Sequence, residues 1–338
     1  MELIVTGAAG YIGGSFVHEA LSRDYKVVGI DNLINSNKFN IEKIINIKND
    51  NFSFYEVDLK ESQIHNILEK ENLSSPVVVH FASLKSVYDS TVDPILYWEN
   101  NLISAFNLAK AMQVCGFNKF VFSSSASVYS ESNQQPVNEN DIVKPSSPYA
   151  FTKLSIENFL NNISDYLKFD VLNLRYFNPI GTHKDFMIHD IPNKNANNLM
   201  PKIVRTAIGI DKKLKVFGDD YKTIDGTGIR DYIHISDLVD GHFKAIDYIR
   251  EFKGNDVINL GTGKGYSVLE LINEFEKVNN ISVPYEIVSR RDGDVEVSIA
   301  NVKKAKSLLD WSAKKGLKEM CSDSAKIINS INIIESIK

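Results

Sequence analysis

Through the first half of the chain, short β-branched runs alternate with longer segments whose apolar residues recur at helical spacing. The short runs predict β-strands at residues 3–5, 26–30, 52–57, 77–80, 120–123 and 171–175. The segments between them predict helices at residues 11–22, 61–70, 94–115 and 148–167. Such alternation is typical of a parallel sheet covered on both faces, so we predict an α/β fold with a Rossmann-type doubly wound parallel sheet.

Beyond about residue 178 the pattern becomes irregular. Polar, loop-like stretches cover residues 178–198 and 221–230, and helices are predicted at residues 199–208, 236–250, 268–278 and 315–331. We therefore predict two domains, a Rossmann domain over residues 1–177 and a smaller C-terminal α/β lobe over most of residues 178–338. The chain is expected to return to the sheet around residues 230–262.

Composition narrows the class of protein. Hydrophobic residues make up 43% of the chain and charged residues 24%, which favours a packed core over disorder. The formal charge of −5, with no dominant Lys/Arg cluster, argues against a nucleic-acid partner. Cys115 and Cys321 lie far apart and indicate neither a disulfide framework nor a metal site, so no metal is expected. Without a cleavable leader or an apolar stretch of ~20 residues, we expect a soluble, cytoplasmic protein with no membrane partner.

The strongest local motif is Gly7-Ala8-Ala9-Gly10-Tyr11-Ile12-Gly13, between the first predicted strand and the first predicted helix. Gly7 permits a tight turn, Gly10 lets the backbone approach a pyrophosphate, and Gly13 allows the helix to pack closely on the strand. The free N–H groups at the helix N-terminus then favour a phosphate group. An ordinary glycine turn is the alternative interpretation of this motif taken alone.

A second feature supports dinucleotide binding. Asp31 ends the second predicted strand, where a carboxylate accepts hydrogen bonds from the adenosine ribose hydroxyls. The same carboxylate would repel a 2′-phosphate, so we predict NAD rather than NADP as the cofactor. Asp58 closes the third predicted strand and is either a contact to the adenine amino group or a simple turn residue.

Candidate acid–base chemistry lies at Tyr149 and Lys153, four residues apart on a predicted helix and therefore on one face. A tyrosine phenol has an unperturbed pKa of ~10, which is too high for a base at neutral pH. A nearby ammonium and a positive nicotinamide ring would lower the pKa of the phenol. Ser123-Ser124-Ser125 follows a strand and supplies hydroxyls that orient the substrate proton. The alternative is that the Tyr-x-x-x-Lys pair lies on a solvated helix face.

These motifs together resemble the extended short-chain dehydrogenase/reductase superfamily. Further strings are similar to the UDP-glucose/UDP-N-acetylglucosamine 4-epimerase family within it; they occupy residues 31–33, 81–87, 123–129, 175–179, 198–201, 217–221, 225–234 and 259–263. The resemblance extends over about residues 1–320. It implies an isomerase that inverts C4 of a UDP-hexose through a transient 4-keto intermediate with tightly bound NAD. The oxidised sugar rotates while UDP stays anchored, so hydride returns to the opposite face.

The resemblance also implies roles for individual residues. Tyr149 is the base for the 4-hydroxyl proton, Lys153 binds the nicotinamide ribose and tunes the tyrosine, and Ser125 assists. With the glycine motif, the implied cofactor contacts are Gly7, Gly10, Tyr11, Ile12, Gly13, Asp31, Asn32, Asn35, Ser36, Asp58, Leu59, Phe81, Ala82, Lys85, Asn100, Tyr149, Lys153 and Phe177. The implied substrate contacts are Lys85, Ser125, Tyr149, Asn178, Asn198, Leu199, Val216, Phe217, Arg230, Arg291, Asp294 and Ser298. Among these, Phe217 lies at the uracil pocket and the two arginines bind the diphosphate. A homodimer through the helices at residues 94–115 and 148–167 is also implied.

Ser298 is the most informative departure from the family pattern. Many epimerases of simple hexoses carry a large aromatic residue there, beside the C2 substituent of the sugar. A small serine leaves room for an N-acetyl group, so we expect UDP-GlcNAc/UDP-GalNAc to be accepted as well as or instead of UDP-Glc/UDP-Gal. The alternative is that Ser298 faces solvent.

Other functions remain to be weighed against the epimerase. A nucleotide-sugar 4,6-dehydratase needs an Asp-Glu pair where this chain has Ala126 and Ser127, which disfavours it. A UDP-uronic acid decarboxylase or epimerase is harder to exclude. A non-catalytic NAD-binding regulator would be a different class on the same fold, but it would not need Ser125, Tyr149 and Lys153.

Overall fold

The computed structural model describes residues 1–35, 40, 42–43, 50–61, 63–183, 188–191, 197–291 and 293–329. The chain divides into two compact units. The first unit comprises the described residues of Met1–Val128, Pro145–Arg175 and Val239–Ile258. The second comprises the described residues of Tyr129–Lys144, Tyr176–Leu238 and Asn259–Lys338.

The regular elements follow in chain order. The strands are β1 (Glu2–Thr6), β2 (Lys26–Asp31), β3 (Phe52–Glu56), β4 (Val77–His80), β5 (Lys119–Ser125), β6 (Asp170–Tyr176), β7 (Asn178–Ile180), β8 (Leu214–Phe217), β9 (Ile229–Arg230), β10 (Tyr232–His234), β11 (Asn255–Leu260), β12 (Tyr266–Ser267), β13 (Tyr285–Val288) and β14 (Val297–Ser298). The α-helices are α1 (Tyr11–Ser22), α2 (Ile64–Lys70), α3 (Val87–Val92), α4 (Pro94–Val114), α5 (Pro148–Leu167), α6 (Leu199–Ala207), α7 (Ile235–Glu251), α8 (Val268–Asn279), α9 (Lys303–Leu309) and α10 (Leu317–Ser324).

Among the residues that the structure describes, the central sheet has seven strands, in the order β11-β6-β5-β4-β1-β2-β3. The strands from β3 to β5 in this order pair in parallel. The direction of winding changes between β1 and β4, so their carboxyl ends lie at the switch point where such folds bind ligands. The predicted Rossmann-type fold is confirmed.

Helices cover both faces of this sheet. Alternate residues of the strands, such as Ile4 and Val78, join residues of α2, α4 and α5 in one buried core. On the other face Phe16 of α1 stacks on Phe243 of α7, with 4.7 Å between ring centroids. Because both faces of the sheet are covered, the inner strands are continuous apolar runs and do not alternate between apolar and polar residues.

The second unit contains small sheets. β10 pairs in parallel with β7, β13 pairs in parallel with β8, and β9 lies between β12 and β14. Helix α8 begins with a capping box, in which Ser267 and Glu270 each accept a hydrogen bond from the other's backbone N–H. None of the helices in the described part of the chain combines the length and apolar character needed to cross a bilayer.

The predicted strands of the first half are confirmed, with ends that shift by two residues at most. Two predicted helices were too long. The helix at 61–70 begins at Ile64, because Glu61 donates its N–H to the Asp58 carbonyl in a turn. The helix at 315–331 begins at Leu317 and ends at Ser324, followed by a 3₁₀ turn over Ala325–Asn329; residues 330–331 lie outside the described residues.

The polar stretches predicted as loops also contain strands. The short strand β7 lies in the stretch at 178–198, and β9 lies in the stretch at 221–230. Neither strand pairs with a neighbour in sequence, since β7 pairs with β10 and β9 pairs with β12 and β14. Strands this short carry no periodicity from which they could be predicted.

Candidate active site

The glycine turn forms a backbone cradle after β1. Gly7 has a φ of +69°, and a Cβ there would lie 2.7 Å from the backbone nitrogen of Ala82. A Cβ on Gly13 would lie 2.1 Å from the Gly7 carbonyl oxygen. Gly10 is the N-cap of α1, and no side chain caps the helix there. The N-terminus of α1 is therefore left without a capping side chain, an arrangement that fits the pyrophosphate of a dinucleotide.

Asp31 is fixed beside this turn. Its Oδ2 accepts from the N–H of Ala9 at 3.0 Å and its Oδ1 accepts from the N–H of Leu33 at 2.8 Å. At the end of the next strand, Asp58 accepts from the Asn32 side chain at 3.2 Å and from the N–H of Lys60 at 2.9 Å. Asp58 therefore stabilises a turn, which was one of the two roles predicted for it. It also contacts Asn32, another predicted cofactor residue.

The remaining predicted cofactor residues are spread over several elements. Tyr11 and Ile12 form the first turn of α1, and Leu59 is buried. Phe81 and Ala82 follow β4 and donate their N–H groups to the backbone oxygen and Oγ1 of Thr6, at 3.1 and 3.4 Å. Lys85 lies just before α3, and Asn100 lies on α4. Asn35 follows β2 and is exposed. Phe177 is buried and belongs to the second unit. Ser36 lies outside the described residues.

Tyr149 and Lys153 lie on the buried face of α5, near its N-terminus. Ser147 caps this helix by accepting from the N–H of Ala150, and Pro148 occupies its first turn. Tyr149 is 9% exposed and Lys153 is 2% exposed. The Lys153 Nζ lies 5.8 Å from the centroid of the Tyr149 ring. The alternative of a solvated helix face is therefore wrong.

Lys153 is held in a buried environment. Its Nζ donates to the Ser123 carbonyl oxygen at 2.8 Å and lies 4.9 Å from the centroid of the Phe122 ring. Burial lowers the pKa of Lys153 to about 7, and the charge of Glu157 opposes that shift. The pKa of the Lys153 ammonium therefore lies near neutral pH, below the pKa of an exposed lysine.

The three serines at the end of β5 differ in their surroundings. Ser123 and Ser124 are buried; Ser123 offers its carbonyl to Lys153, and Ser124 donates its hydroxyl to Glu157. Ser125 is only partly buried, and its Oγ accepts from the N–H of Ser127 at 3.2 Å and from the hydroxyl of Ser127 at 2.9 Å. Ser125 is thus the serine of the three whose hydroxyl is accessible enough to meet a ligand.

In the second unit, arginines lie beside aromatic rings. The Cζ of Arg291 lies 3.7 Å from the centroid of the Phe217 ring. Arg230 and Asp294 approach to 3.9 Å, between Nη2 and Oδ1. Ser298 pairs with Arg230 across the β9–β14 register. The structure therefore brings the predicted substrate residues of this unit into two small groups.

The other predicted substrate residues of this unit occupy backbone positions near the ends of elements. Val216 is buried in β8, next to Phe217. Asn178 starts β7 with an exposed side chain. Asn198 is the exposed N-cap of α6, where its side chain makes no cap hydrogen bond, and Leu199 is the first residue of that helix.

Residues 3–261 of the sequence match the NAD dependent epimerase/dehydratase family. The chain belongs to this family. The family match and the prediction from the glycine motif and Asp31 name the same cofactor, NAD. The predicted relationship to the epimerases of the extended short-chain dehydrogenase/reductase superfamily is confirmed.

Individual members of the NAD dependent epimerase/dehydratase family are similar over nearly the whole chain. The UDP-glucose 4-epimerase of Bacillus subtilis is 44% identical over 325 residues, which cover 96% of each protein. The solved UDP-glucose-4-epimerase from Stenotrophomonas maltophila, with bound NAD and formylated UDP-arabinopyranose, has a TM-score of 0.93 at 39% identity and covers 98% of this chain and 99% of its own. The UDP-Glc/GlcNAc 4-epimerase from Campylobacter jejuni has a TM-score of 0.83 at 33% identity, with 97% and 99% covered.

The sequence assigns no role to two residues of the described chain that lie near the predicted site residues, His80 and Arg290. His80, at the end of β4, shares a hydrogen bond of 2.7 Å with Thr6 Oγ1, and burial, followed by the charge of Lys153, lowers its pKa to about 3. Arg290 lies 3.9 Å from the centroid of the Tyr221 ring. For His80 a usable signal exists, because it directly precedes the string at 81–87. The position of Arg290 depends on a tertiary contact that no local pattern predicts.

Proposed function

We propose that this chain catalyses the reversible C4 epimerisation of a UDP-hexose, with NAD bound to the first unit and the UDP-sugar bound by residues of the second. The observation that carries the proposal is the buried Tyr149–Lys153 pair, with the Lys153 ammonium held on the Ser123 carbonyl. The relatives named as UDP-glucose 4-epimerases support it. The functional division between residues 1–177 and 178–338 stays a prediction.

The chain's own residues account for the proton transfers. The positive charge of Lys153 favours the phenolate form of Tyr149, which then takes the proton of the sugar 4-hydroxyl. Ser125 offers a hydroxyl that orients the same sugar oxygen. NAD held by the glycine turn and Asp31 would supply the hydride acceptor for C4. Tyr149 returns the proton to the oxygen, so neither the cofactor nor the enzyme is changed at the end of a cycle.

Inversion requires the sugar to turn while the nucleotide stays fixed. In the second unit, Arg230 and Arg291 are suited to the diphosphate, because a guanidinium binds phosphate oxygens in a bidentate manner. Phe217, on which Arg291 lies, offers an aromatic face to the uracil. With the UDP moiety anchored, the 4-keto sugar rotates about its phosphate linkage and presents the other face of C4.

The direct test is product analysis by NMR. Purified protein is incubated in separate reactions with UDP-glucose and UDP-GlcNAc, and the sugar ring protons are followed over time. The proposal predicts the C4 epimers, with no addition of NAD if the cofactor co-purifies. Conversion of UDP-glucuronic acid with release of CO₂, but no conversion of UDP-hexoses, would support the decarboxylase instead. Binding of NAD and UDP without any turnover would support the regulator.

We propose that the acetylated substrates fit because of Ser298. The proposal is supported by the pairing of Ser298 with Arg230, one of the two arginines predicted to bind the diphosphate. A hydroxymethyl side chain leaves the volume that an aromatic ring would otherwise fill. The Campylobacter jejuni relative, whose name includes both UDP-Glc and UDP-GlcNAc, supports the chemical plausibility of dual substrates in this fold.

Replacing Ser298 by tyrosine is expected to lower kcat/KM for UDP-GlcNAc at least about tenfold more than kcat/KM for UDP-glucose, because the ring would occupy the space of the N-acetyl group. Both constants are measured with the same preparation. Ser298→Ala is the matched control and is expected to keep the ratio of the two constants. A tyrosine variant with an unchanged ratio would contradict the role of Ser298.

We propose a homodimer formed through α4 and α5. Exposed apolar side chains, including Ile103 and Phe106 on α4 and Phe151 on α5, lie on these helices. Phe106 and Phe159 contact each other across them, with ring centroids 4.4 Å apart. An exposed apolar surface of this kind is typical of a protein–protein interface.

Replacing Phe106 by glutamate is expected to convert the dimer to a monomer, since the interface would then have to desolvate a charge. Sedimentation velocity measures the change in mass. Ile224, which is 90% exposed in the second unit, provides the matched control as Ile224→Glu, and that variant is expected to remain dimeric. A wild-type protein that sediments as a monomer at all concentrations would exclude the dimer.

A further inference from the structure

A buried carboxylate lies one turn beyond Lys153 on α5. Glu157 is 1% exposed and is bound by a fork from β6: the Arg175 Nε donates to its Oε1 at 3.0 Å, and the Arg175 Nη2 donates to its Oε2 at 2.6 Å. The Ser124 hydroxyl also donates to Oε1. Three donors from two strands therefore fix the position of this carboxylate.

The same part of β5 holds the two buried charged residues of α5, Lys153 and Glu157. Ser123 accepts from the Lys153 ammonium through its carbonyl, and the adjacent Ser124 donates to Glu157. Tyr149, Lys153 and Glu157 are spaced four residues apart, so they form one row along the buried face of the helix. The Glu157 carboxylate is thus held by the same strand, β5, that holds Lys153.

The groups that face Lys153 come from several elements. Besides Tyr149 and Glu157 on its own helix, β5 contributes the Ser123 carbonyl and the Phe122 ring. His80 on β4 is neutral near pH 7, because burial and the charge of Lys153 lower its pKa to about 3. Arg175 on β6 is cationic and is engaged with Glu157. Among these described groups, Glu157 is the acidic one, and it is paired with Arg175.

We propose that Glu157, fixed by Arg175 and Ser124, is a positioning residue that keeps Lys153 protonated and thereby lets Tyr149 ionise near neutral pH. This inference rests on the proposed function, because it assigns Tyr149 as the base. A buried ammonium without a nearby anion releases its proton readily, and a neutral amine would no longer stabilise a phenolate. Burial lowers the pKa of Lys153 and the charge of Glu157 opposes that shift, in agreement with this role.

The test is the pH dependence of kcat for Glu157→Gln. Loss of the negative charge lowers the pKa of Lys153 and so raises the pKa of Tyr149. The acid limb of the profile is therefore expected to move up by about one pH unit, with about a tenfold loss at pH 7 that recovers at higher pH. Glu157→Asp keeps the charge and is expected to retain most of the wild-type profile. An equal loss at every pH would show a merely structural role and overturn the proposal.

A matched control and a second variant separate charge from folding. Asp211 also accepts two hydrogen bonds of 2.8 Å from an arginine, Arg205, in the second unit. Asp211→Asn is expected to leave the midpoint of the acid limb unchanged. Should Glu157→Gln not fold, because Arg175 is left unpaired, the double variant Glu157→Gln/Arg175→Met removes both charges and is expected to move the midpoint in the same direction. An unshifted midpoint in the folded double variant would overturn the proposal.

A spectroscopic measurement keeps this inference distinct from the proposed function. Phenolate absorbance is titrated as the difference between proteins that carry Tyr149 and their Tyr149→Phe counterparts, with and without Glu157→Gln. The apparent pKa of Tyr149 is expected to rise by about one unit on removal of the carboxylate charge. If the wild-type protein turns over no UDP-hexose, the proposed function fails while this titration still tests Glu157. Equal pKa values for Tyr149 in both backgrounds would refute the inference.

Discussion

Replacing Tyr149 by phenylalanine is expected to lower kcat for C4 epimerisation by about 10²–10⁴-fold, the contribution typical of a positioned acid–base group. The substitution removes one oxygen and leaves the ring that packs beneath Lys153. The loss follows because the variant lacks the phenol oxygen that would take the 4-hydroxyl proton beside the Lys153 ammonium. Steady-state kinetics with UDP-glucose or UDP-galactose measure the loss, and calorimetric titrations with NAD and UDP are expected to show nearly unchanged affinities.

Tyr166 offers a matched control on the same helix. It lies near the C-terminal end of α5, is 78% exposed, and is far along the helix from the Tyr149–Lys153 pair. Tyr166→Phe is expected to keep wild-type kcat. If Tyr149→Phe retained most of its turnover, the assignment of the base would be wrong, whatever the ligand affinities.

Replacing Gly13 by alanine is expected to cost at least about 1–3 kcal/mol of stability and to weaken NAD binding strongly. The added Cβ would lie 2.1 Å from the Gly7 carbonyl oxygen and 2.9 Å from its carbonyl carbon. These atoms belong to the backbone of the turn, so relief of the clash requires α1 to move away from β1. That movement displaces the helix N-terminus from the phosphates. Thermal denaturation with and without NAD measures both effects.

Gly316 is the control for this prediction. It has a φ of −92°, and no heavy atom lies within 4 Å of a Cβ built on it. Gly316→Ala is expected to change the melting temperature little and to leave NAD affinity intact. Wild-type NAD affinity in a folded Gly13→Ala protein would show that the close approach of α1 to the turn is not needed for the cofactor.

Much of the fold could be predicted from the sequence, because in the first half of the chain the local hydrophobic pattern and the boundary residues indicate the same elements. The strand at 77–80 and the helices at 11–22 and 148–167 were predicted with the ends that the structure has. Each combines a clear period with a clear boundary, such as the Ser147-Pro148 start of α5. In the second half, β9, β12 and β14 have two residues each, and their existence depends on pairing across long sequence separations.

In the candidate site, too, the residues in local sequence patterns could be predicted and those fixed by tertiary contacts could not. The glycine motif, Asp31 and the Tyr149–Lys153 spacing are local patterns, and each could be assigned from residues close together in sequence. The bond between Arg175 and Glu157 joins a strand to a helix, and the stacking of Arg290 on Tyr221 joins residues far apart in the chain. Such contacts are fixed only by tertiary packing, so sequence alone assigned Arg175 to a family string and left Glu157 and Arg290 without a role.

The stacking of Arg291 on Phe217 has a consequence for the speed and selectivity of ligand capture. The Cζ of Arg291 lies 3.7 Å from the centroid of the Phe217 ring, and this contact restricts the rotation of the guanidinium before any ligand arrives. An anionic ligand that binds it is spared part of an ordering cost of about 0.5–1.5 kcal/mol per side chain. A lysine at this position would carry the same charge on a mobile stem, so we expect the planar, immobilised cation to discriminate anions by shape as well as by charge.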